Sequence, residues 1–352
     1  MRAAVYEEFR GEISIRELPD PTPTRDGVVI RVDACGICAS DWHGWMGHDP
    51  DITKFPHVPG HEMAGSIDSL GRDVRRWKRG DRVTVPFCVG CGSCEQCRNG
   101  LTNICDHHFQ PGFTAWGAFA DLMAIPHADL NAVALPPSLD PITAASLGCR
   151  FATAWRAVTA VGRVTAGEWV VVFGCGGVGL SAIMIAAASG ARVIGVDLEQ
   201  SRLDFAGAIG AEQLLLSEDE SRTVEAIREI TSGGAHLSVD AAGSAAACRA
   251  AILSLRKRGR HVQVGLMVGR HADPPLPMAA VIARELEILG SHGMEVGRYP
   301  EMLAMIESGK LDPKRLVGKV VSLDEAPAEL AGIGESRTVG LSVIDLRGEG
   351  GR

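Results

Sequence analysis

Basic runs are scarce in this chain of 352 residues, and no run of Lys and Arg exceeds the short stretch from Arg256 to Arg260. With a formal net charge of −8 and a pI near 5.8, no footprint for a polyanion is visible, which argues against nucleic acid as a partner. Long apolar runs are also missing. The most apolar stretch, Trp169 to Val196, is broken by glycines and by Arg192, so no membrane span is expected. The opening residues Met1 to Glu8 lack the basic start and apolar segment of a signal peptide, and no repeat or low-complexity segment stands out. Ten cysteines would suit a disulfide scaffold only in a much shorter chain. The expectation is a cytoplasmic protein with reduced cysteines.

What is present divides the chain in two. Its length exceeds what one core usually supports, and 46% apolar residues leave ample core for two domains. The first half carries short alternating strands punctuated by Gly and Pro, such as Gly27 to Asp33 and Gly80 to Pro86, which predicts a mostly antiparallel β domain. From about Phe151 short apolar strands alternate with Ala-rich helical stretches. The strands are Trp169 to Phe173, Ala191 to Asp197, His236 to Asp240, Arg260 to Gly265 and Leu286 to Gly290. That alternation predicts an α/β doubly wound parallel sheet over 151–291, with 1–150 and 292–352 forming the other domain. Val339 to Asp345 reads as a strand returning to the first domain.

Cys91, Cys94, Cys97 and Cys105 form a C-x2-C-x2-C-x7-C run, a spacing that suits four thiolates around one Zn²⁺. Four anionic ligands leave that ion no open position, so the site is expected to shape a loop and activate nothing. Gly174-x-Gly176-x-x-Gly179 follows an apolar strand and opens a helical stretch, the context of a dinucleotide-binding turn, with Gly177 and Val178 inside it. The next strand ends at Asp197, placed to accept hydrogen bonds from adenosine ribose hydroxyls and to repel a 2′-phosphate. NAD(H) is therefore expected over NADP(H), although Arg202 lies five residues on. Gly265 joins the expected cofactor set. Cys38, His61 and Cys149 are candidate ligands of a second metal, whose charge two thiolates and an imidazole would balance while leaving a fourth position open.

These residues resemble, over essentially the whole chain, the zinc-containing medium-chain alcohol dehydrogenases. The resemblance rests on Cys38-x-Ser40-Asp41-x-His43, Gly60-His61-Glu62, the four-cysteine lobe, Gly148-Cys149, the glycine turn with Asp197, and Gly334-Glu335-Ser336-Arg337. It implies a GroES-like, partly open β-barrel catalytic domain, a Rossmann cofactor domain, an active site in the cleft between them, and two zinc ions per chain. It also implies reversible oxidation of an alcohol to an aldehyde or ketone with NAD. Cys38, His61 and Cys149 would bind the catalytic zinc, Asp41 would orient His61, and Glu62 would serve as an alternate ligand. Ser40 would accept the substrate proton and pass it through the nicotinamide ribose to His43, while Arg337 would reach the pyrophosphate.

Departures from the family pattern carry expectations of their own. Ala39 stands where some relatives have a basic residue or His, which removes a cofactor contact. Cys149 stands where polyol dehydrogenases often have Glu, which favours simple alcohols. The short segment from Cys105 to Ala118 suggests, by analogy, a homotetramer of the microbial type, with a dimer as the alternative. Trp42, Trp45, Phe87, Trp116, Met267 and Met294 are candidate walls of a pocket for a hydrophobic alcohol, aldehyde or ketone. The competing readings are a zinc polyol or aldehyde dehydrogenase on the same scaffold, a zinc-free quinone reductase, and a non-catalytic zinc and nucleotide binding redox sensor.

Overall fold

The computed structural model describes residues 1–334 and 339–348. Its first strands are β1 (Arg2–Val5), β2 (Ser14–Glu17), β3 (Val28–Ile37), β4 (Glu62–Leu70), β5 (Arg82–Thr84), β6 (Leu122–Ile125) and β7 (Val133–Ala134). Six more follow: β8 (Trp169–Phe173), β9 (Arg192–Asp197), β10 (Gln213–Leu216), β11 (Ala235–Asp240), β12 (Leu255–Gln263) and β13 (Glu287–Gly290). Two close the series, β14 (Val317–Ser322) and β15 (Leu341–Asp345).

β3 organises the first sheet because it has three partners. Its first half pairs with β6, its last four residues pair with β15, and β4 runs along its other edge, all antiparallel. The full order is β14-β15-β3-β4-β5-β7, and only β14 with β15 is parallel. Val28, Ile30 and Val32 alternate with outward residues and meet Met63, Phe119 and Met123 in a buried core. Arg31 and Asp33 stand on the less buried side of the strand, so a slip of one residue would carry them toward this core, and that fixes the register. β15 belongs to this sheet, as the returning strand was expected to.

The second sheet has the order β10-β9-β8-β11-β12-β13, and every pairing is parallel. This is the doubly wound 3-2-1-4-5-6 arrangement, in which ligands sit beyond the carboxyl ends of the strands. Its central strands are buried on both faces, so they read as continuous apolar runs: Trp169–Phe173 is buried at every position. β10 was not among the expected strands. It lies at the sheet edge with Leu214 and Leu216 exposed, so it carries no burial pattern to recognise.

The chain forms two compact units, one from Met1–Ala152 with Gly293–Arg352 and one from Thr153–His292. No described helix is long and apolar enough to cross a membrane.

Candidate active site and metal clusters

β3 ends at Ile37, and Cys38 caps a short helix, Ala39–Trp45. The Asp41 carboxylate accepts a hydrogen bond from the Cys38 backbone N–H (3.0 Å), which starts that helix. The other Asp41 oxygen accepts from the Gly60 N–H (2.9 Å) and from Nδ1 of His61 (2.8 Å). Asp41 and His61 are both 1% exposed. One carboxylate thus fixes both the helix start and the His61 tautomer, with the proton on Nδ1 and the Nε2 lone pair directed away from Asp41.

Nε2 of His61 meets the Cys38 and Cys149 sulfurs, and the three donor atoms lie within 4.8 Å of one another. Ser40, two residues beyond Cys38, places its hydroxyl 3.1 Å from the Cys38 sulfur and 3.0 Å from His61 Nε2. Hydrogen bonding from Cys149, aided by His61, holds Cys38 well below the usual thiol range despite its burial, and raises Cys149 in turn. Burial works against a charged His61, but Asp41 and Cys38 outweigh it and hold the ring well above its ordinary value. The trio therefore combines an anionic sulfur with protons that a divalent cation would displace. Two sulfurs and one oriented imidazole fit zinc, with room for one further ligand.

Glu62 follows His61 directly, but its carboxylate is engaged elsewhere. The Arg150 backbone N–H donates to it at 2.7 Å, and the guanidinium donates to both oxygens, Nε at 2.9 and 3.1 Å and Nη2 as well. Glu62 is fully buried and Arg150 nearly so. Burial pushes the Glu62 carboxyl up, and Arg150 opposes that rise. Glu62 is also outside the cluster of donors that could hold a metal among the described residues. Arg150 was not anticipated from the sequence; its only signal was its place beside Cys149.

The second cluster is the four-cysteine lobe. The sulfurs of Cys91, Cys94, Cys97 and Cys105 lie within 4.8 Å of one another, and none of these cysteines is in a disulfide. Backbone N–H groups point at the sulfurs: Ser93 and Cys94 donate to Cys91, Cys97 to Cys94, and Cys91 and His107 to Cys105, all at 3.3–3.4 Å. The Ser93 hydroxyl and these amides pull the Cys91 thiol down to about 5. Burial pushes Cys97 up to about 12 and raises Cys105 as well, so the amides favour one thiolate and a bound cation would have to displace the remaining protons.

In the second unit, β8 turns into the helix Gly177–Ala188 through Gly174 and Gly176. Gly174 has φ +87, and a Cβ at Gly179 would stand 1.7 Å from the Gly174 carbonyl oxygen, so only glycine fits there. At Gly176 a Cβ would meet nothing within 4 Å, because the residue faces a cavity of about 430 Å³. No side chain caps the helix, whose first turn contains Gly177, Val178 and Gly179. Asp197, at the end of β9, lines the same cavity with Arg202. Its carboxylate accepts from the backbone N–H groups of Cys175 (2.6 Å), Leu198 (2.8 Å) and Glu199 (3.0 Å). A glycine turn, an uncapped helix start and an anchored carboxylate around an open cavity fit a dinucleotide. Gly265 packs against the Gly243 backbone, leaving no room for a side chain. Arg337 lies outside the described residues.

His43 sits one helical turn after Ser40, and its Nδ1 lies 2.9 Å from Nδ1 of His48, a residue the sequence did not single out. Of the expected pocket walls, Phe87 stands near the metal donors, with its ring centroid 6.0 Å from that of His61. Phe113 is closer still at 5.3 Å and was missed. Trp42 packs against the core of the first sheet and stands edge-on to His43. Trp45 donates to the Gly11 carbonyl and Trp116 to that of Pro56, both 2.9 Å. Met294 is buried, and Met267 packs against the core of the second sheet.

Comparison with known proteins agrees with this geometry. The family model described as alcohol dehydrogenase GroES-like domain matches residues 24–137, and that described as zinc-binding dehydrogenase matches residues 177–308. An alcohol dehydrogenase of Geobacillus stearothermophilus is 31% identical, covering 99% of this chain and 99% of the relative. An NAD-dependent alcohol dehydrogenase of Sulfurisphaera tokodaii is 31% identical over 98% of this chain and 99% of its own. The solved alcohol dehydrogenase of Thermus sp. ATN1 superposes with a TM-score of 0.91 at 29% identity, covering 99% of this chain and all of the other. Matched in both halves by family models and along nearly its full length by these relatives, the chain belongs to the zinc-dependent medium-chain alcohol dehydrogenase family.

Proposed function

We propose that the protein is an NAD-dependent zinc alcohol dehydrogenase of the cytoplasm, interconverting a hydrophobic primary or secondary alcohol with its aldehyde or ketone. The observation that carries this reading is the Ser40 hydroxyl, held 3.0 Å from His61 Nε2 and 3.1 Å from the Cys38 sulfur. Cys38, His61 and Cys149 would hold a catalytic zinc, and the four-cysteine lobe a structural one. Zinc in such a three-ligand site supplies a Lewis acid that makes an alcohol hydroxyl acidic near neutral pH.

The chain's own residues do the rest. Asp41 keeps the proton on Nδ1 of His61 and so keeps Nε2 available as a donor. Ser40 takes the alcohol proton through its hydroxyl, and His43, half-buried beside it on the same helix, releases it. Phe87 and Phe113 crowd the His61 ring and limit water there. Preference for NAD(H) over NADP(H) is supported by Asp197, Glu218, Asp219 and Glu220 around the cavity, against the single cation Arg202. A homotetramer belongs to the same proposal, on the short Cys105 to Ala118 segment, and light scattering tests it.

The test of the activity is reduction of NAD⁺, followed at 340 nm, with benzyl alcohol, secondary alcohols, sorbitol and threonine, repeated with NADP⁺. Metal analysis should find about two zinc ions per chain. Ser40→Ala should retain both ions and lose turnover by about a hundredfold or more. Sole activity on a polyol, or a lower KM for NADP⁺, would overturn the corresponding part of the assignment.

A further inference from the structure

The helix Ala39–Trp45 ends in a way that brings a second histidine to the first. Gly47 adopts φ +78, its N–H donates to the Gly44 carbonyl (3.0 Å), and the His48 N–H donates to the His43 carbonyl (2.9 Å). This pair of bonds is the Schellman ending, in which the residue after the left-handed glycine folds back over the residue five positions earlier. Those two side chains usually make an apolar contact. Here they are His48 and His43, and their Nδ1 atoms lie 2.9 Å apart. A contact that needs only two apolar groups is instead built from two groups that carry protons.

We propose that His48 is the exit of the proton path, a residue that acts through His43 by orienting its ring and carrying its proton to water. This rests on the alcohol dehydrogenase reading. An Nδ1 to Nδ1 hydrogen bond requires a proton on one nitrogen and a lone pair on the other. With the proton on His43, its Nε2 is left as a base. When Nε2 takes up the proton lost by the alcohol, the Nδ1 proton crosses to Nδ1 of His48, and the cation forms on that ring. His48 is exposed whereas His43 is half-buried, so water or buffer removes the proton from the outer ring. Each ring ends neutral, no electrons are exchanged, and proton exchange with water restores the starting tautomers. Burial, with the nearby His48 adding to it and Cys38 opposing, holds His43 below the ordinary histidine range, so a charge on the inner ring is not retained. Trp42 stands edge-on to both rings, at centroid distances of 5.0 and 6.0 Å, and keeps them in register.

The experiment uses the zinc-loaded protein with NAD⁺ and benzyl alcohol. His48→Ala should lower kcat about tenfold with little change in KM, and added imidazole buffer should restore the rate in proportion to its concentration. His48→Gln keeps an acceptor for the His43 N–H but carries no proton onward, and it should be as slow as His48→Ala. Full activity in His48→Gln, or a loss that imidazole leaves untouched, overturns the proton-carrying role. Independently of turnover, a nitrogen–nitrogen coupling should be measurable across the hydrogen bond in ¹⁵N-labelled protein and vanish in His48→Gln; its absence in the unmodified protein overturns the pair itself. Unmodified protein that reduces NAD⁺ with no alcohol would sink the dehydrogenase reading, and the coupling would then decide on the pair alone.

Discussion

Asp41 is the residue on which most of the candidate metal site turns, because one buried carboxylate holds the Cys38 N–H, the Gly60 N–H and the His61 ring. Asp41→Ala should weaken zinc binding by roughly 10- to 100-fold, as loss of such a supporting partner does, measurable by competition with a chromophoric chelator. Arg150 does a different job, since it neutralises a buried Glu62 whose carboxylate stands outside the trio of Cys38, His61 and Cys149. Arg150→Met should cost about 3–5 kcal/mol of stability, because it strands a buried carboxylate, whereas the double change with Glu62→Gln should recover much of that in denaturant melts. Legibility differed between these residues for a physical reason. Cys38, His61 and Cys149 are each ambiguous in a chain with 10 cysteines and 11 histidines, and they could be named only because the motifs around them together resemble those of a known family. Arg150, Phe113 and His48 could not, because arginine, phenylalanine and histidine serve many roles and only the folded backbone brings them to their partners.

Among the elements, the four-cysteine lobe is short and has little core of its own: the helix Glu95–Arg98 buries none of its residues. Such a segment depends on its cross-link for shape. Cys97→Ser should therefore lower the thermal midpoint and release one zinc ion per chain while turnover of the surviving folded protein stays near normal. Loss of turnover at unchanged stability would contradict the structural role. The elements most readable in advance were the buried parallel strands, where Trp169–Phe173 was placed to the residue. The least readable was the exposed edge strand β10, and β12 begins at Leu255, well before the Arg260 expected, because Arg256, Lys257 and Arg258 are exposed and show no apolar alternation.

For the molecule as a whole, stability should depend on pH through His261, which is fully buried in β12. Burial depresses its pKa from 6.5 to about 4, with a hydrogen bond to Gln263 opposing. A depressed folded-state pKa means the unfolded chain takes up the proton first. The stabilisation is complete above pH 6.5 and declines by about 3 kcal/mol as pH falls toward 4. Thermal midpoints measured between pH 4 and 7 should show that slope, and His261→Gln should flatten it. The two-unit organisation was legible because the texture of the sequence changes near Phe151 and an apolar strand reappears near residue 341. That late strand has a consequence for synthesis. β3, which leads directly into Cys38, is flanked by β15, with Cys35 opposite Ile344. A chain emerging from the ribosome can complete the parallel sheet of Thr153–His292 while β3 still has an open edge, so β3 waits for a strand made after the whole second unit. Nascent chains halted before Leu341 should therefore protect the second unit from protease and leave the first open to it.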